Sequence, residues 1–201
     1  ACFRIMGMND FSGRLPLVVA AMLVLWYTHR LARQLFPHEA RTADWAVLIL
    51  FSSPLFMVLS RSLTTDIYLA FFSLAAAFHL FRWYFFDKRT VDACLSAIFI
   101  GLGLLTKGHV MLVFILLPWF PLVLSYRNAR PVKIIDSLVF AVVPLLVILP
   151  WSVAVIRENP HLAAFFVHEQ TLGRVAMDMH HRDKPFYFHG MVLFGGMLFW
   201  F

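Results

Sequence analysis

Long apolar runs separated by short charged clusters set the pattern of the chain. The runs are Leu15–Tyr27 (extendable to about Leu35), Ala43–Leu59, Thr65–Phe86, Ala93–Thr106, His109–Ser125 and Ile134–Ile156, and another begins at Gly190. They are apolar on every side, whereas barrel strands alternate over about ten residues, so the pattern predicts helices. Several runs approach the roughly 20 residues needed to cross a bilayer. The expected fold is an all-α polytopic transmembrane helix bundle with a short amphipathic interfacial helix in an extracytoplasmic loop. Residues 1–201 would form a single transmembrane domain of about six full spans plus the start of a seventh, with the long loop at 157–189. The fourth and fifth runs are short and joined by "TKGH" (106–109), which predicts a helical hairpin.

Composition agrees with that solvent: 61% of residues are hydrophobic and 14% charged, too apolar for an ordinary soluble domain. The formal net charge of +6 is therefore assigned by loop. Loops 28–44, 82–92 and 126–133 hold nine Lys and Arg; the alternate face holds eight, four of them in the long loop. Because short loops carry the positive-inside rule, the nine-residue face is expected to be cytoplasmic. Basic residues on both faces argue against a nucleic-acid partner. Cys2 and Cys94 give neither a disulfide framework nor a metal spacing. The chain begins without Met and ends inside a 12-residue apolar run, "GMVLFGGMLFWF", so an internal piece of a larger membrane protein is expected.

This orientation puts Asp66, Lys107 and the long loop on one non-cytoplasmic side. Asp66 reads in two ways: a first-turn acid complementing the helix dipole behind a Thr64 or Thr65 cap, or a carboxylate at the lipid–water boundary facing a cavity. Lys107 either satisfies a helix C-terminus before Gly108 or offers a point charge to a phosphate. Asn159-Pro160 is a helix start, and "HLAAFFVHEQTLGR" (161–174) reads as a surface helix stopping near Gly173. His161 and His168 share a face of it, and His168, Glu169 and Arg174 lie at its polar end; solvated residues and ligands both fit this spacing. "HHRDK" (180–184), with His181, is a solvated turn or a basic patch near phosphate head groups. HExxH and Walker-type phosphate loops are absent from the sequence.

Six pieces in one order carry a resemblance: "RLP" behind "GMNDFSG", "SRSLTTDIYLAFF", "GLGLLTKGHV", "LPWSVAVIRENPHLAAFFVHE", "GR" and "HHRDKPFYFHG" with a later "FW". Together they resemble the bacterial C-type integral-membrane glycosyltransferases related to protein O-mannosyltransferases, in particular the lipid A 4-amino-4-deoxy-L-arabinose transferases. The resemblance implies transfer of a sugar from a polyprenyl-phosphate-linked donor to a lipid, glycan or protein acceptor, at the periplasmic face of the bacterial inner membrane. It implies no nucleotide cofactor. Asp66 would be a catalytic acid of the active cavity. Lys107, His168, Glu169, Arg174 and His181 would bind substrate, with Arg174 on the phosphate and His168 beside the phosphate or a divalent metal ion. The family's first extracytoplasmic loop, with its principal catalytic acid and a carrier-binding lysine, would precede this piece, which is therefore expected to be inactive alone. The rival reading is a membrane transporter or lipid-linked sugar flippase. Transporters place ionisable groups and broken helices near the bilayer midplane, whereas here the charges gather at segment ends. The loop count makes its own prediction: a cysteine at Asn128 reacts with an impermeant thiol reagent only after the cytoplasmic side is opened, and labelling in intact cells would invert the topology.

Overall fold

A computed structural model describes residues 7–86, 90–125, 134–159, 185, 187–197 and 200, and every long element among them is a helix. In chain order these are α1 (Asp10–Leu35), α2 (Ala40–Ser52), α3 (Pro54–Arg61), α4 (Asp66–Phe85), α5 (Thr90–Lys107), α6 (Val110–Ser125), α7 (Ile134–Glu158) and α8 (Phe188–Gly196). Four of them, α1, α4, α5 and α7, are long and apolar enough to cross a membrane, and α2 with α3 makes a fifth if that bent pair is one span. The interfacial helix expected near 161–174 lies outside the described residues.

Local chemistry explains where the helices start and stop. Asn9 Oδ1 accepts the amide of Ser12 at 2.7 Å and Ser12 Oγ accepts the amide of Asn9 at 3.3 Å, a reciprocal cap that starts α1. The run expected as one span, Ala43–Leu59, is instead broken between Ser52 and Pro54 with a 64° bend. Pro54 has no amide proton to continue the ladder and disfavours helical backbone at Ser53, which sits at φ −70°, ψ 130°. The α5–α6 hairpin turns on Gly108, whose φ of +60° is the left-handed conformation glycine adopts without strain. Two loop boundaries move as well. Arg30, Arg33 and Arg82 lie on helices rather than in loops, and Asp92, placed in a loop by the apolar pattern, is in the first turn of α5.

Contacts between small residues fix the directions. Leu17, Ala20, Ala21 and Val24 of α1 pack on Ile67 near the start of α4, and Tyr27 packs on Ala75 and Phe78 further along, so these helices run parallel. Helix α5 returns antiparallel along α4. Ala76, Ala93 and Ala97 are fully buried there, and Ser96 Oγ donates to the Ala76 carbonyl at 2.9 Å. Lipid gives little hydrophobic drive between helices, so close approach at such residues supplies the attraction. Helix α7 lies against α5 at Gly101 and packs Val139 and Phe140 on the core, while most of its other apolar side chains are exposed, as expected where hydrocarbon is the solvent.

A buried polar group spans three helices. His79 Nδ1 donates to Asp92 Oδ1 at 2.7 Å, which leaves Nε2, 3.2 Å from the Tyr27 hydroxyl, as the acceptor. Arg82 Nη2 stands 3.5 Å from the other Asp92 oxygen, and the His79 ring stacks on Phe99. Stranding a buried charge by removing its partner costs about 3–5 kcal/mol, against about 0.6 for an average interhelical hydrogen bond in lipid. The charge group therefore holds the hairpin more firmly than the Ser96 contact does.

Glycine packing gives a discriminating test. A Cβ at Gly101 would fall 2.8 Å from Val147 Cβ and 3.1 Å from the Pro144 backbone, whereas the nearest atoms to one at Gly103 belong to the flexible side chain of Met111. Gly101→Ala is expected to destabilise by about 1–3 kcal/mol through overpacking, and Gly103→Ala by less, because methionine adapts. Thermal unfolding of the two variants in micelles checks the order.

Candidate functional site

The turn before α4 and the turn after α5 meet at the same end of the bundle. Lys107 Nζ donates to Asp66 Oδ1 across this junction, joining residues 41 apart in sequence. The physical origin is plain: α4 begins where α5 ends, so a first-turn acid faces a last-turn base, each favoured by its helix dipole.

The sequence offered Thr64 or Thr65 as the cap of α4, and the position falls to Thr65. Thr65 occupies the N-cap position in helical backbone with no side-chain cap bond. Lys107 likewise reaches across to the neighbouring helix for a carboxylate. Its side chain and that of Asp66 remain 35% and 38% exposed, so solvent reaches both charges.

Asp66 and Lys107 are thus brought together, while His168, Glu169, Arg174 and His181 lie outside the described residues. Among the described residues, no three His, Cys, Asp or Glu side chains converge as a metal seat. The sequence reading missed the His79–Asp92–Tyr27 group. Its signal was a histidine inside an apolar run and an acid just past the next turn, which an antiparallel hairpin brings side by side.

The family model described as dolichyl-phosphate-mannose-protein mannosyltransferase matches residues 1–153. The chain belongs to this family. The matched residues include both Asp66 and Lys107. Among curated relatives of this mannosyltransferase-family chain, the undecaprenyl phosphate-alpha-4-amino-4-deoxy-L-arabinose arabinosyl transferase 1 of Sodalis glossinidius is 30% identical over 202 residues, 96% of this chain and 35% of that protein. The enzyme of the same name from Pseudomonas fluorescens is 28% identical, covering 98% of this chain and 35% of its own length. The crystal structure of ArnT from Cupriavidus metallidurans bound to undecaprenyl phosphate superposes with a TM-score of 0.81 at 24% identity, over 99% of this chain and 37% of that one. Its apo form gives 0.74 at 23% identity, over 99% and 36%. These superpositions establish a shared polytopic membrane fold. The chain spans about a third of the length of the relatives it matches.

The exposure of the family chain's charge pair predicts what it is worth to stability. A half-exposed ion pair contributes about 0.2–1 kcal/mol, so Asp66→Asn and Lys107→Gln should each shift unfolding by no more than that. A double-mutant cycle on thermal stability measures it, and a coupling above about 2 kcal/mol would make the pair a structural lock.

Proposed function

We propose that the protein containing this chain is a glycosyltransferase. It moves a sugar from a polyprenyl-phosphate carrier to a lipid, glycan or protein acceptor at the periplasmic face of the bacterial inner membrane. One observation carries the reading: a solvent-reachable carboxylate and ammonium, joined at one end of a membrane bundle, within the residues that match a sugar-transferase family. The named relatives use undecaprenyl phosphate-linked aminoarabinose by their descriptions, which favours undecaprenyl phosphate as the carrier here. Those relatives and the superposed structures also favour transfer over the transporter or flippase alternative.

The chemistry asks for these two groups. The acceptor attacks the anomeric carbon, the bond from that carbon to the carrier phosphate oxygen breaks, and the acceptor loses a proton. In this reading Asp66 orients the acceptor or takes that proton, and Lys107 balances the negative charge that gathers on the departing phosphate. Because the two form a pair at rest, substrate would part them, the phosphate claiming the ammonium and freeing the carboxylate. His168, Glu169, Arg174 and His181, which lie outside the described residues, complete the proposed substrate-binding set. A divalent ion at His168 would add charge to the phosphate.

In the full-length protein, Asp66→Asn is expected to lower transfer by about a hundredfold or more while expression and thermal midpoint stay near wild type. Radiolabelled-sugar transfer in membranes reads this. Wild-type turnover would remove Asp66 from the site.

A further inference from the structure

The opposite end of the bundle holds a second concentration of charge that sugar transfer does not use. A groove of about 430 Å³ opens between the last turns of α1 and α4, lined by His29, Arg30, Arg33, Gln34, Phe78, Arg82 and Phe86. Asp66 and Arg82 are sixteen residues apart on one helix, about 24 Å along its axis, so groove and pair lie close to opposite faces of a bilayer.

Among the described residues, the acids near the groove engage His29 and Arg82 and leave Arg30 and Arg33 uncompensated. Asp44 stands 3.3 Å from His29, and Asp92 is engaged by His79 and Arg82. Arg30 lies with its guanidinium carbon 4.8 Å over the Trp26 ring, and neither it nor Arg33 makes an ion pair among the described residues. Gln34 Oε1 is buried without a hydrogen-bond partner among those residues. Amide oxygen and nitrogen are assigned from their partners, so a flip offers an unmet donor to the same groove. A general surplus of cytoplasmic charge would explain scattered arginines. It does not explain why they share a concave site with aromatic walls.

We propose that this groove binds the head group of an anionic phospholipid, its phosphodiester held by Arg30, Arg33 and Arg82 and its upper acyl segments lying on the exposed Phe86. Guanidinium forks match phosphate oxygens in pairs, and basic pockets between membrane helices on the cytoplasmic side suit such head groups. Arg82 is already oriented: Asp92 holds it from one side and the Phe78 ring lies 5.7 Å from its guanidinium carbon. The aromatic walls at the membrane boundary favour a lipid over a free anion. The inference is independent of the transferase reading.

The test is native mass spectrometry of the delipidated full-length protein, resupplied with phosphatidylglycerol or phosphatidylcholine in otherwise identical micelles. Wild type should retain phosphatidylglycerol in preference to phosphatidylcholine. Each groove arginine is worth about a fivefold change near an anionic head group, so Arg33→Gln should weaken retention about fivefold and the Arg30→Gln, Arg33→Gln double variant about thirtyfold. Arg33 is exposed, so the single variant remains informative should the double variant not fold. Arg41→Gln removes a charge from the same face outside the groove and should leave retention unchanged. Equal retention of the two lipids, equal loss with Arg41→Gln, or displacement of the lipid by millimolar inorganic phosphate would each overturn the proposal.

Discussion

The antiparallel contact between α4 and α5 is the interaction on which the rest of the molecule depends. Alanines and a serine let the two backbones approach, and a polar tie closes the hairpin at each end. Hydrocarbon tolerates no unpaired charge, so each tie dictates the register of the helices as well as holding them. The ties differ in burial. His79 and Asp92 are sealed, and Asp66 and Lys107 are open to solvent. The sealed tie is expensive to break and suits a structural role. The open one contributes little to stability, which leaves its charges free for chemistry.

From this hairpin the other elements take their places. Helix α1 lies parallel to α4 and contributes Tyr27 to the sealed tie, while α7 seats on the glycine face of α5. The bent α2–α3 pair returns the chain to the end where α4 begins, and α8 touches that pair, with Trp200 Nε1 donating to Ser52 Oγ at 2.9 Å. One end with a reachable acid and base, and an opposite end with an arginine groove, follow from one parallel-and-antiparallel arrangement.

Helix class, the hairpin at Lys107-Gly108 and the co-location of Asp66 with Lys107 were legible in the sequence. The first rests on apolar runs and the others on alternation of faces, both of which a single chain displays. The broken second span was legible too, in Ser53-Pro54, but the mean apolarity of Ala43–Leu59 masked it. What the pattern could not show was which polar residues inside apolar runs find one another. His79 and Asp92 are thirteen residues apart and separated by a turn, so their pairing depends on the hairpin register. Arg82 and Asp92 were counted with the loop because they belong to one charged cluster, although helices reach both of them. The direction of the Lys107 side chain, across to α4, was likewise a tertiary choice between two equally sound local ones.

The central claim is that the Asp66–Lys107 junction is a reaction site and not a brace. Exchanging the two charges, Asp66→Lys with Lys107→Asp, in the full-length protein separates these roles most directly. The ion pair can re-form in the exchanged variant, but the carboxylate and ammonium then stand in each other's places relative to acceptor and phosphate. The account predicts a thermal midpoint close to wild type with sugar transfer still abolished. Transfer restored by the exchange, where each single substitution had lost it, would contradict the account and leave the junction as a structural bridge.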